Sequence, residues 1–375
     1  MTQNIDLKNL DKSTWKTYRF DQLAQKVSET VDPNTTELEI YVGLEHLDAE
    51  SIHLKRKGIP SDVSGGKLKC YPGDVIFGKR RAYQRKAAIV DFEGICSAHA
   101  FVLRANPEVI DPDLFPFFLH SDLFMHCAVD ISVGGLSPTI NWGQLKEQEF
   151  LLPPKDQQAQ LAKLLWAMDD VIEKEKEIFD DLDTLFKTKA KFISDNYEYV
   201  GEYRKIKDVC TIKDNMRRPL NSSERDKMKG EIPYYGANGL VDYLNDFIFD
   251  EDLILVAEDG GNFNEFFSKE IAYKVSGKSW VNNHAHVLSA KKEIVSSDWL
   301  FYSLVHKNIL KYIIGAGRPK LNKSELEKIR IWVPKNQVMK KLSHEMKEIE
   351  NTRINAATKV ENSQSLQKSL INQVF

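Results

Sequence analysis

The sequence is short of paired cysteines. Cys70, Cys96, Cys127 and Cys210 are scattered, with no Cys-x-x-Cys spacing. That excludes a zinc cage or a disulfide framework and fits a reducing cytoplasm. No stretch approaches the ~18–20 consecutive apolar residues of a membrane span. Met1 to Leu10 lack the basic segment and apolar core of a secretory signal. Excess positive charge is missing too: 52 Lys+Arg stand against 55 Asp+Glu, for a net charge of −3. A uniformly basic nucleic-acid binder is excluded, but a locally basic one is not. There is no Asn/Asp-Pro-Pro-aromatic methyltransferase motif, no glycine-rich AdoMet loop and no G-x-x-x-x-G-K-[ST] phosphate loop. The carboxylates Glu258 and Asp259 lack a partner that would complete a nuclease. No catalytic residue and no metal site is expected.

What remains is an ordinary globular composition, 42% hydrophobic and 29% charged over 375 residues. At roughly 150 residues per domain, that length predicts two or three domains.

The chain repeats itself once, at offsets between 178 and 185 residues. Tyr18-Arg19 resembles Tyr203-Arg204. Pro72 to Phe77 resembles Asp250 to Leu255, and Ser97 to Leu103 resembles Asn282 to Leu288. Gly134-Gly135-Leu136-Ser137-Pro138 resembles Gly315-Ala316-Gly317-Arg318-Pro319, and Phe150 to Pro153 resembles Ile331 to Pro334. The period far exceeds that of solenoid repeats. Each copy therefore reads as a domain plus a connecting element.

The connecting element is a long helix. After Pro153-Pro154, spacings of four and three place Leu161, Leu165, Met168, Ile172, Phe179, Leu182, Phe186 and Ile193 on one seam. Only Glu175 and Lys189 interrupt it. With no Pro or Gly from Lys155 to Val200, the helix would span roughly 65 Å. Asp169, Asp170, Glu173, Lys174, Lys176, Asp180 and Asp181 read as a solvated, mostly acidic face. The second copy repeats the pattern with Leu342, Met346, Ile349, Ala356, Val360, Leu370 and Val374, weakened at Arg353, Ser363 and Gln367. An intramolecular antiparallel pair is predicted, with docking of a partner's helix as the alternative. The domains implied are 1–153 and 200–333, with helices at 154–199 and 334–375.

The two domains read as α+β. Strands are predicted at Leu38–Val42, Asp74–Phe77, Ala87–Val90, Ala100–Leu103, Leu253–Val256, His286–Leu288 and Ile329–Val333. Helices are predicted at Pro112–Cys127 and Asp298–Ile314, capped by Asp113 and by Ser297-Asp298.

One basic cluster stands out. Gly78 to Lys86 holds five positive charges in nine residues: Lys79, Arg80, Arg81, Arg85 and Lys86, with Tyr83 and Gln84 among them. Such a loop suits phosphate contacts and major-groove readout, with Arg on guanine and Gln on adenine. A solvated charged loop is the plainer reading. The second copy has Val256 to Phe263 there, acidic and glycine-rich. Lys269, Lys274, Lys278, Ser279, Trp280, Asn282 and Asn283 offer a polar and basic surface nearby, and Tyr234 to Gly239 form a turn or a contact. Arg318 and Lys320 are positioned to meet a phosphate. His99 and His284 read as satisfied structural histidines on a buried strand.

These features resemble the specificity subunit of type I restriction-modification systems over nearly the whole chain. The most specific parts are Gly134 to Pro138, then Phe150-Leu151-Leu152-Pro153-Pro154-Lys155-Asp156-Gln157-Gln158 before a long helix. Asp156 replaces the usual Glu of a Pro-Pro-x-x-Glu-Gln-Gln-like motif, and Val333-Pro334-Lys335-Asn336-Gln337 departs further. Gly315 to Asn322 and Ile232 to Gly236 are also similar to target-recognition domains. The resemblance implies two such domains, each reading half of a split DNA site, and two helices forming an antiparallel coiled coil as a ruler. It implies two methylation subunits binding AdoMet and restriction subunits using ATP and Mg, with no cofactor in this chain. A subunit of a related phage-defence methylation system, or a helical adaptor without DNA readout, are the other readings.

Overall fold

The computed structural model describes residues 12–195, 201–315 and 317–375, and it divides into two compact units. The reading of Met1 to Leu10, residues 196–200 of the first long helix, and Ala316 lie outside the described residues. The first unit runs to Glu175 and includes Lys359–Phe375; the second is Lys176–Thr358. No helix among the described residues is long and apolar enough to cross a membrane.

In the first unit one four-stranded antiparallel sheet runs in the order Ala24–Val27, Phe101–Ala105, Val75–Phe77, Ala87–Ile89. A second sheet runs Thr30–Val31, Lys67–Cys70, Gly94–Cys96, Tyr41–Val42, with the last pair parallel. A ribbon pairs Lys16–Arg19 with Glu149–Leu152. The core beneath is aromatic: Phe20, Phe77, Phe118, Phe124 and Phe150 are buried together, with Phe118 and Phe150 edge to face at 5.1 Å. Such pairs add directional attraction to area burial.

The second unit repeats the first sheet in the order Cys210–Ile212, Ala285–Ala290, Leu253–Ala257, Ala272–Val275, all antiparallel. Its ribbon, Gly201–Lys205 with Arg330–Pro334, repeats the first unit's ribbon. The other sheet is different. A hairpin of Lys229–Gly236 and Gly239–Leu244 lies beside Lys278–Val281 and Phe249–Asp250. The turn of that hairpin is the Ala237-Asn238 step, and Gly239 takes φ +117°, a region closed to most side chains.

Each predicted strand overlaps an observed one, but the helices are shorter than predicted. Pro112–Cys127 is two helices, Phe115–His120 and Asp122–Asp130. Ser121 separates them with ψ 148°, and its Oγ accepts from Phe124 N at 3.2 Å. A serine that satisfies the next helix's free N–H stabilises the break. The cap is therefore Ser121, not Asp113. Likewise Ser296 caps Ser297–Tyr302 through Trp299 N at 3.1 Å, and that helix stops far short of Ile314.

The two long helices are Lys155–Asp195 and Asn336–Val374. In the second unit Asp183 meets Arg353 while Lys189 meets Glu345. Rising numbers on one helix meet falling numbers on the other, so the pair is antiparallel. Phe186, Ala190, Ile193, Met339 and Met346 are buried in that unit's core, with Leu342 and Ile349 packed on it. In the first unit Leu161 and Leu165 are buried with Leu370, Ile371 and Val374, and Met168 packs against them. Ile172 is buried, while Phe179 and Leu182 are half-buried. This is the predicted antiparallel coiled coil.

Candidate nucleic-acid interface

The basic loop of the first unit is held by its backbone. Gly78 N donates to Lys86 O at 2.9 Å, and a short 3-10 turn, Ala82–Gln84, lies between Arg81 and Arg85. Both arginines adopt left-handed backbone, at φ 59° and 52°, a conformation uncommon outside glycine. The turn sorts the cations into two groups. Arg85 points inward: it pairs with Glu50 at 2.9 Å and Asp122 at 2.8 Å, and donates to His120 O at 2.9 Å. Lys86 donates to Leu44 O at 2.7 Å. Their donors serve the fold, which charge counting along the sequence does not reveal.

Arg80, Arg81, Tyr83 and Gln84 form the other group. Arg81 is exposed and donates to Ser137 Oγ at 3.1 Å. Tyr83 is exposed, and the side chains of Arg80, Tyr83 and Gln84 make no hydrogen bond or ion pair with another described residue. Lys79 lies 5.1 Å over the Phe101 ring. Burial, and then the Lys26 charge, lower its pKa from the ordinary lysine value.

The equivalent loop of the second unit carries the opposite charge. Glu258 stands where Lys79 stands: Ile140 N donates to Lys79 O at 3.0 Å, and Leu321 N to Glu258 O at 2.7 Å. Asp259 bridges Lys320 as Arg80 bridges Thr139. The facing loop is clasped alike in both units. Val133 and Thr139 exchange two backbone hydrogen bonds, at 3.1 and 2.9 Å, and Ile314 and Lys320 do so at 2.9 and 2.8 Å. The repeat seen in the sequence is thus kept down to single hydrogen bonds.

The predicted residues of the second unit are not equally available. Lys278 is exposed, over the Phe247 ring at 4.8 Å. Arg318 is 76% exposed and 3.5 Å from Asp259, and Lys320 is 3.0 Å from Glu258. Asn282 is buried, and its Oδ1 accepts from His284 N at 2.8 Å, so it shapes the turn.

The histidine expectation needs correcting. His99 is exposed, and His284 is about half exposed, 2.6 Å from Asp259. The buried ring is His286, which faces Asp214 at 2.6 Å and Leu321 O at 2.7 Å. His99 and His284 lie in turns just before their strands, whereas His286 lies inside Ala285–Ala290, which is buried at its first four residues.

Asp214, Glu258 and His286 bring one ligand atom each within 4.8 Å of one another. One His286 ring nitrogen is taken up by Asp214 and the other by Leu321 O, so neither is turned to an open position for a metal. Arg217 pairs with Glu258 at 2.7 Å and donates to Ala285 O at 2.8 Å. Burial pushes both carboxylic acids toward the neutral form, but their cationic partners outweigh it and lower both pKa values. The cluster is a charge network anchoring the acidic loop. Sequence reasoning missed it because Asp214 and Arg217 lie some forty residues from Glu258.

The helix motif finds a structural role at Gln158. Its buried side chain accepts from Asp111 N at 2.7 Å and donates to Val109 O at 3.0 Å and Pro153 O at 2.8 Å. The second copy has buried Met339 at the corresponding position. The predicted acidic solvent face is corrected at its start. Asp169 is buried and 2.5 Å from His53, and Glu173 pairs with Lys55 at 2.6 Å. This hydrogen bond to Asp169 is the main reason that the His53 pKa is raised, against burial.

Two copies of one sheet scaffold, an antiparallel pair of long helices and unlike charged loops at equivalent positions define a duplicated recognition fold. The chain belongs to the family described as the type I restriction modification DNA specificity domain, which it matches over residues 12–183 and again over 201–362. A Haemophilus influenzae protein named as the type I restriction enzyme specificity subunit S.HindORF215P is 36% identical over 133 residues, 36% of this chain and 33% of that protein. The type I restriction enzyme EcoDI specificity subunit of Escherichia coli is 29% identical over 170 residues, 44% of this chain and 37% of that one. The chain thus spans about a third of the length of these curated relatives. Among solved structures, the type I restriction-modification S subunit from M. genitalium aligns at TM-score 0.66 and 15% identity, over 98% of both chains. A chain from a structure of the type I R-M system aligns at 0.58 and 16% identity, over 96% of this chain and 97% of that one. Both likenesses concern the fold.

Proposed function

We propose that this chain is the non-catalytic, DNA-reading subunit of a type I restriction-modification complex. Each unit reads one half of a bipartite double-stranded target. The observation that carries this reading is the pair of equivalent loops, one basic and one acidic, on a common scaffold. A shared scaffold with unlike loops is what two readers of different sequences require.

In the first unit Arg80, Arg81, Tyr83 and Gln84 face the DNA, with Lys79 behind them. Arginine suits guanine O6 and N7 or a phosphate, and glutamine suits adenine. In the second unit Lys278, Arg318 and Lys320 supply the cations, and Asp259 holds the Arg318 guanidinium in place. An acidic loop also suits cytosine, whose N4 amino group donates.

Two methylation subunits, carrying AdoMet, dock on the helices. The internal seam is already covered by the paired helix, so docking uses what each unit leaves exposed. Val171 is 50% exposed in the first unit, and Ile178, Leu185 and Phe192 are 55%, 44% and 38% exposed in the second. These residues recur every seven positions, the spacing that fits one face of a partner helix. Restriction subunits bring ATP and Mg, and the complex works in the cytoplasm. Linking two modest readers raises the effective concentration of each.

The test is co-expression with the methylation subunit of the same operon, followed by single-molecule mapping of modified adenines. A bipartite motif with a fixed gap is expected, and exchanging residues 200–333 should change one half only. A complex that forms but methylates no defined sequence would defeat the reading.

A further inference from the structure

Leu136 is 97% exposed, the most exposed large apolar side chain among the described residues. It is presented rather than loose. The loop carrying it is clasped by the Val133–Thr139 pair, Gly134 turns the chain at φ +118°, and Thr139 Oγ1 donates to Ser137 O at 3.2 Å. Arg81 braces it from the side. Its N–H donates to Pro138 O at 2.7 Å and its guanidinium to Ser137 Oγ at 3.1 Å. The leucine is therefore next to Ser137, which holds the Arg81 guanidinium, and the Arg80 backbone is bridged to Thr139.

We infer that Leu136 is an apolar wedge that enters the base stack of the half-site read by the first unit. This inference rests on the DNA-reading function proposed above. Val133 at the base of the loop is 50% exposed, but the tip itself stands beside Ser137 and the Arg81 guanidinium, so it is not the large contiguous apolar patch that a protein partner would call for. An apolar tip flanked by arginines matches a base step flanked by phosphates. Wedges of Leu, Ile, Met or Phe unstack a step, and neighbouring cations hold the backbone that opens around them. The insertion would bury a side chain that otherwise lies in water. In the second unit the corresponding residue is Gly317, so the wedge belongs to one half-site.

The experiment uses the full chain with its methylation partner and a duplex carrying the mapped bipartite site. 2-Aminopurine replaces one base at a time across the first half-site. Wild type should raise fluorescence several-fold at one step other than the methylated adenine. Leu136→Ala and Leu136→Gly should abolish that rise and weaken binding about tenfold, about 1.4 kcal/mol, while discrimination at the second half-site stays intact. An unchanged profile and affinity in Leu136→Ala would overturn the wedge. So would loss of the methylation partner from that variant in gel filtration, which would make Leu136 a protein contact. Sequence-specific binding by wild type with no fluorescence rise defeats the wedge alone. No sequence-specific binding by wild type defeats the DNA-reading function as well.

Discussion

The two units share a sheet order, a ribbon and a loop clasp, yet their reading loops carry opposite charge. In the first unit Arg81 is exposed and Arg80 half exposed, while Arg85 is tied to Glu50 and Asp122. In the second, Glu258 is paired with Arg217 and Lys320, and Asp259 lies beside Arg318 and His284. The lesson is that scaffold and surface are held by different forces. Backbone hydrogen bonds and buried apolar residues fix the scaffold and are indifferent to charge. The reading surface is a set of side chains free to change sign when a local counter-charge changes with them.

The largest difference to break is at the start of the long helices. Gln158→Met copies the second unit into the first. It leaves Asp111 N, Val109 O and Pro153 O without their partner, so a loss of about 2–4 kcal/mol is expected. Urea unfolding monitored in the first unit checks it, and an unchanged midpoint would mean the amide is dispensable. Next is acid. His120 is buried at 2.8 Å from Ala87 O, and burial lowers its pKa to about 4. The folded state keeps His120 neutral while the unfolded chain takes up a proton near pH 6.5. Stability present above pH 6.5 is therefore lost as pH falls toward 4, by about 3 kcal/mol. Hydrogen exchange of the Phe115–Asp130 amides should show that loss, and His120→Gln should flatten it. A slope that persists in His120→Gln would assign the acid sensitivity elsewhere.

A smaller contrast separates arginines within one loop. Arg85→Ala should cost about 1–2 kcal/mol of stability, chiefly by leaving the His120 carbonyl without its donor. Arg80→Ala with Arg81→Ala should stay within about 0.5 kcal/mol while weakening DNA binding. Denaturation midpoints and binding titrations measured together decide whether the two groups are distinct. The smallest effect is a gain. A Cβ at Gly317 meets nothing within 4 Å, so Gly317→Leu should fold normally and add an unstacking signal at the second half-site. Silence there would show that the wedge depends on more of the first loop than its leucine.

Much of the scaffold was legible in the sequence because buried strands such as Leu253–Ala257 are continuously apolar. Some strands were not. Lys16–Arg19 is polar and at least partly exposed along its length, and Lys229–Gly236 contains Gly and Pro that read as a turn. The repeat and the helix seam were legible from spacing alone. The direction of a charged side chain was not: Asp169 and Arg85 look solvent-facing until His53, Glu50 and Asp122 fold back onto them. The candidate site was therefore visible as a loop, but its division into inward and outward cations needed the fold.

The clasp between Val133 and Thr139, and between Ile314 and Lys320, uses only main-chain atoms. Such a closure places no demand on the identity of the residues it encloses. Mutation can therefore explore new tips without first re-solving the folding problem, as the change from Leu136 to Gly317 illustrates. The loop behaves as an interchangeable cartridge, and a protein built on it can acquire a new address by small edits, which is evolvability written into the backbone.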